Sequence, residues 1–67
     1  MSALNLKEEF IRDPQQFVSR KEAAFLLGCA VSTITRYAAE GRLKALRIGK
    51  RRLLIYRPSV WTLLLEL

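Results

Sequence analysis

Residues 19–41, SRKEAAFLLGCAVSTITRYAAEG, decide how the rest of the chain reads. Ser19-Arg20-Lys21-Glu22 has the form of a capping box, in which the Ser19 hydroxyl and the Glu22 carboxylate satisfy each other's backbone N–H groups, with Val18 ahead of it as a hydrophobic staple. A helix therefore starts here. Ala23, Ala24, Leu26 and Leu27 supply its buried side, and Gly28 stands where a left-handed residue would end it after about eight residues. Only Cys29, Ala30 and Val31 separate it from a second periodic segment. In that segment Ile34, Tyr37 and Ala38 share one face, Ser32, Thr35, Arg36 and Ala39 point elsewhere, and Gly41 ends the helix.

Two short helices joined by a few residues around a glycine have the dimensions of a helix-turn-helix, whose second helix enters the major groove of DNA. After Gly41 the pattern changes. Leu43, Leu46 and Ile48, then Leu53 to Tyr56, read as two short strands around Gly49-Lys50, a β-hairpin or wing. Upstream, Asn5 to Arg12 reads as a short helix capped by Asn5, with Leu6, Phe10 and Ile11 as its apolar stripe. Pro14 stops it, and Asp13-Pro14-Gln15-Gln16 also resembles a one-turn helix start. Downstream, Pro58 suits the first turn of a last helix, which Val60, Trp61, Leu63, Leu64, Leu65 and Leu67 make apolar almost all round. Trp61 and the leucines either close the small core or leave part of this helix as a protein contact. The expected class is mainly α with a small β-hairpin, a winged helix-turn-helix. Residues 1–18 form an N-terminal extension with a short helix, and residues 19–67 form the domain.

Composition narrows the function. With 67 residues the chain has room for one small core and little else. Its 51% apolar content argues against disorder, and no run of apolar residues is long enough to span a membrane. Lys7, Glu8 and Glu9 interrupt the only candidate for a secretory signal, so a soluble, cytoplasmic protein is expected. The absence of His and the single Cys remove the usual zinc sites and the Cys-His or Ser-His-Asp catalytic arrangements. Neither an enzyme nor a cofactor is expected. Cys29 reads as a small buried hydrophobe, since an interchain disulfide would be unusual in a reducing compartment.

Twelve Lys and Arg against six Asp and Glu give a net charge of +6, placed unevenly. Between Gly41 and Arg57 stand Arg42, Lys44, Arg47, Lys50, Arg51, Arg52 and Arg57, with no acid among them. Like charges gathered without counterions repel, so the cluster is easiest to explain if an external anion neutralises it, and nucleic acid is the commonest such anion. A merely solvated basic face is the plainer alternative, and membrane headgroups a weaker third.

The order of capped helix, turn, second helix, exit, basic hairpin and last helix resembles the excisionase-like and AlpA-like small winged helix-turn-helix domains, relatives of the DNA-binding head of MerR-type regulators. The residues carrying the likeness are Lys21-Glu22-Ala23-Ala24 with Leu26-Leu27-Gly28, Ser32-Thr33-Ile34 with Arg36, Glu40-Gly41-Arg42-Leu43, and Arg47-Ile48-Gly49-Lys50-Arg51. They follow one another in one register over roughly half the chain. Two departures matter. Ala30 stands where the family usually has a capping Ser or Thr, a loss of about 1 kcal/mol, so the second helix either starts uncapped at Val31 or is shortened and capped by Ser32. Val31 and Thr35 replace positions that often carry longer polar side chains.

The resemblance implies that the second helix lies in the major groove and the hairpin along the backbone or the adjacent minor groove. Val31, Ser32, Thr35 and Arg36 would then carry base readout, by contact with thymine methyls and donation to base edges or phosphate. Arg42, Lys44, Arg47, Lys50, Arg51 and Arg52 would bind DNA through the wing and its backbone contacts, with Arg20 and Lys21 on the flanking backbone. Plainer roles stand beside these: Arg36 could pair with Glu40, its i+4 neighbour, and Lys21 could be solvated. One short helix reaches too few bases to select a genomic site, so self-association on DNA and contact with an integrase or other recombinase are implied. The leading expectation is a DNA-binding and DNA-bending excisionase of a phage or mobile element. A small transcriptional regulator of the same fold is the alternative, and a pure interaction module with an acidic partner comes from a different class. Double-stranded DNA is the expected partner, with no membrane and no small-molecule substrate.

Overall fold

The computed structural model describes residues 5–66. Leu67, assigned from sequence to the last helix, and residues 1–4 of the extension lie outside them. Helix α1 spans Leu6–Arg12, and the Asn5 side chain accepts the backbone N–H groups of Lys7 and Glu8 at 3.1 and 3.2 Å, the cap its sequence announces. A 3-10 turn over Pro14–Gln16 follows, and the chain then extends as strand β1, Phe17–Ser19. Helix α2 covers Arg20–Leu27 and α3 Val31–Ala39; strands β2, Ala45–Ile48, and β3, Arg52–Tyr56, turn about Gly49-Lys50-Arg51; α4 covers Arg57–Glu66.

Both central helices end the same way. Cys29 N–H donates to the Ala24 carbonyl and Gly28 N–H to that of Phe25, while Arg42 N–H donates to Tyr37 and Gly41 N–H to Ala38. These are Schellman closures, and they need a left-handed residue, supplied by Gly28 at φ 68° and Gly41 at φ 80°. The starts differ. Ser19 Oγ accepts the Glu22 N–H at 3.1 Å, one half of the expected capping box; the return bond from Glu22 is absent among the described residues. Ala30 gives α3 no side-chain cap, so of the two sequence alternatives the uncapped start at Val31 is the one adopted.

The three strands form an antiparallel sheet in the order β1-β3-β2, with Val18 opposite Ile55, Ala45 opposite Ile55 and Ile48 opposite Arg52. The sequence announced the hairpin but not β1. One side of the sheet meets the helices in a core of Val18, Ala23, Ala24, Ile34, Leu43, Ile55, Val60 and Leu63. Leu26, Leu27, Cys29, Tyr37, Ala45 and Leu53 pack around it half-buried. Away from that core, Phe17 stands beside Tyr56 with ring centroids 5.2 Å apart, and Phe10 of α1 meets Phe17 edge-on at 5.5 Å. These rings hold α1 to the sheet.

The last helix uses only part of its apolar surface for the core. Val60 and Leu63 are buried, whereas Trp61, Leu64 and Leu65 are 43%, 41% and 88% exposed. A tryptophan closing the core is therefore not what is found. Polar bonds fix the approach of this helix: the Ser59 hydroxyl accepts the Lys44 N–H at 3.1 Å and donates to the Tyr56 carbonyl at 2.6 Å, while Tyr56 N–H donates to the Lys44 carbonyl at 2.8 Å. Among the described residues no helix is long and apolar enough to cross a membrane. A mainly helical chain with a helix pair, a short turn and a following hairpin is the winged helix-turn-helix arrangement expected from sequence.

Candidate nucleic-acid interface

Helix α3 turns Ile34 fully into the core and leaves Tyr37 and Ala38 half-buried, so its opposite side is open. On that side Val31, Ser32, Thr35 and Arg36 are all exposed. Val31 and Thr35 lie one turn apart in one row and Ser32 and Arg36 in the next, which puts the four side chains on one continuous patch. Thr35 makes two long contacts: its hydroxyl donates back to the Val31 carbonyl at 3.4 Å and accepts from Arg20 Nη1 at 3.4 Å. That second bond links the first residue of α2 to the middle of α3.

The wing closes over the same region. A cleft of about 500 Å³ lies between the start of α2, the start of α3 and the entry to β3. Arg20, Lys21, Val31, Arg51 and Arg52 line it, with no carboxylate among the described residues of its wall. Leu53 forms part of that wall and also of a neighbouring groove of about 260 Å³, in which Thr35 of α3 faces Arg47 of β2. The two depressions therefore adjoin. Lys50 stands exposed in the turn between the wing strands, next to Arg51. Six cations from α2, the two wing strands and the turn between them, Arg20, Lys21, Arg47, Lys50, Arg51 and Arg52, surround the outer patch of α3 or extend the wing beside it.

Arg42 and Lys44 stand apart. They line a groove of about 300 Å³ with Tyr56, Ser59, Thr62 and Glu66, on the side where α4 packs. The Arg42 Nε lies 3.4 Å from Glu40 Oε1, and its guanidinium sits 5.5 Å from the centre of the Tyr37 ring. Arg36 approaches the same ring at 5.7 Å. The Arg36–Glu40 pair weighed from the sequence is replaced by Arg42–Glu40, and Arg36 has no carboxylate partner among the described residues. Tyr37 was read from sequence only as a core residue. Its position next to Arg36 and five residues before Arg42, on a helix end, is the signal for a second role as a platform for both guanidiniums.

No protein-family model matches the chain. It is 43% identical over 49 residues to the excisionase of Mycobacterium phage D29, an alignment covering 73% of this chain and 88% of that protein. A match of that identity over most of both proteins places this chain in the excisionase family.

Proposed function

We propose that this protein binds double-stranded DNA, with α3 in the major groove and the wing along the backbone, and bends it to direct site-specific recombination in a phage or mobile element. The observation that carries the reading is the carboxylate-free cleft where Arg20, Lys21, Arg51 and Arg52 converge beside the exposed patch of α3. Such an arrangement meets phosphates with the cations and base edges with Val31, Ser32, Thr35 and Arg36. The excisionase relative supports the choice of recombination as the output.

The proposed bending constrains how many copies must act. Curving a 20–30 bp site costs on the order of 1–6 kcal/mol, and each base read correctly gains only about 1–3 kcal/mol. One copy with a single short recognition helix cannot both select and deform DNA, so several copies act side by side. Self-association on DNA and contact with a recombinase complete the proposal, and the exposed Trp61, Leu64 and Leu65 of α4 are one apolar surface available to either, in addition to the exposed Ile11 of α1 and Phe25 of α2.

Footprinting on DNA flanking the protein's own gene tests this reading. The expected result is protection over direct repeats beside an attachment site. In shift assays on that site, Arg36→Ala should lower the preference for specific over mixed-sequence duplex by about tenfold. No shift by the unmodified protein, even at low salt, would end the proposal.

A further inference from the structure

The outward face of α3 is made of short side chains. Val31, Ser32 and Thr35 end in methyl or hydroxyl groups, and Arg36 is the one long donor among them. A base edge read by a bidentate pair needs a planar fork of donors beside that face. A second fork comes from the neighbouring helix. Arg20 Nη1 donates to the Thr35 hydroxyl at 3.4 Å, and that hydroxyl is itself fixed by donating to the Val31 carbonyl. The guanidinium of Arg20 therefore rests on the row of α3 that carries Val31 and Thr35.

Neither ion pair among the described residues, Arg12–Glu9 or Arg42–Glu40, involves Arg20. Beyond the one bond to Thr35, its donors are available in the cleft that Lys21, Val31, Arg51 and Arg52 also line. A guanidinium already held by one bond loses less rotamer freedom when it binds, and its planar fork matches the O6 and N7 acceptors of guanine. We infer that Arg20 of α2 is a specificity-determining residue: held against Thr35, it reads a guanine edge next to the bases touched by α3. This changes the role given to Arg20 by sequence, a contact with flanking backbone, and it rests on the proposed docking of α3 in the major groove.

Selection of preferred sites from a random-sequence duplex library, run with the full chain, Arg20→Lys and Arg20→Ala, tests the assignment. In the unmodified protein one G·C position should be strongly preferred. That preference should fall on the order of 10- to 100-fold in both variants, because lysine keeps the charge but lacks the fork. Thermal melts of Arg20→Lys and Arg20→Ala that match the unmodified protein show that both variants fold. An Arg20 that touches only phosphate would leave the selected sequence unchanged in both variants, and Arg20→Ala would weaken binding to all sequences alike, with a salt slope shallower by about one. That result would overturn this inference and leave the proposed function standing. Failure of the unmodified protein to bind any duplex would overturn both.

Discussion

The cations of the cleft and the cations beside α4 come largely from one run of sequence, Gly41 to Arg57, yet their surroundings are unlike. Arg51 and Arg52 leave that run to join Arg20 and Lys21 around a hollow with no carboxylate in its wall. Arg42 pairs with Glu40 and leans on Tyr37, and the groove it shares with Lys44 also contains Glu66. Exposed ion pairs contribute little to stability, on the order of 0–1 kcal/mol, but a cation occupied by a carboxylate is less available to a phosphate. The difference teaches that charge counted along a chain overstates an interface. The fold gathers some cations around a hollow and sets Arg42 beside Glu40.

Removing the first group should have the largest effect. Changing Lys50, Arg51 and Arg52 together to Ala takes away three proposed phosphate contacts, and at 0.1 M salt duplex binding measured by fluorescence anisotropy should weaken on the order of a few hundredfold. A loss of less than about tenfold would break the comparison, because the wing would then not be where the anion sits. The second region should respond in stability instead. Ser59→Ala removes the hydroxyl that joins Lys44 and Tyr56 at the base of the hairpin, and should lower the unfolding free energy by about 1 kcal/mol in urea melts. DNA affinity of the folded variant should stay within about twofold. The smallest effects belong to Arg42→Ala and Lys44→Ala, each expected to change affinity by less than about threefold in the same anisotropy assay. If either matched the loss seen on changing Arg51 alone, the division between the two regions would be wrong.

What could be read in the sequence follows the range of the forces involved. The two central helices were legible because their signals are local: Ser19 at the start of α2, Gly28 and Gly41 at the ends, and an apolar period between them. The hairpin was legible because its strands are neighbours in the chain. Strand β1 was not, since it is three residues long and exists only by pairing with β3, whose Tyr56 lies far along the chain from Phe17. Helix α4, apolar almost all round, has no period to say which face goes in; only packing against α2 and β3 chose Val60 and Leu63 over Trp61. The candidate site shows the same limit. The sequence supplied each cation, but Arg20 reaching Thr35, Arg42 turning to Glu40 and Tyr37, and Arg51 meeting Lys21 across a cleft are tertiary facts.

The salt dependence of duplex binding tests the central claim most directly. Five cations, Lys21, Arg47, Lys50, Arg51 and Arg52, predict a log-log slope of about −4.5, measured by anisotropy between 50 and 300 mM salt. A slope of about −6 would mean that Arg42 and Lys44 also meet phosphate, contradicting the separation of the two regions, and a slope near zero would contradict an electrostatic DNA interface altogether.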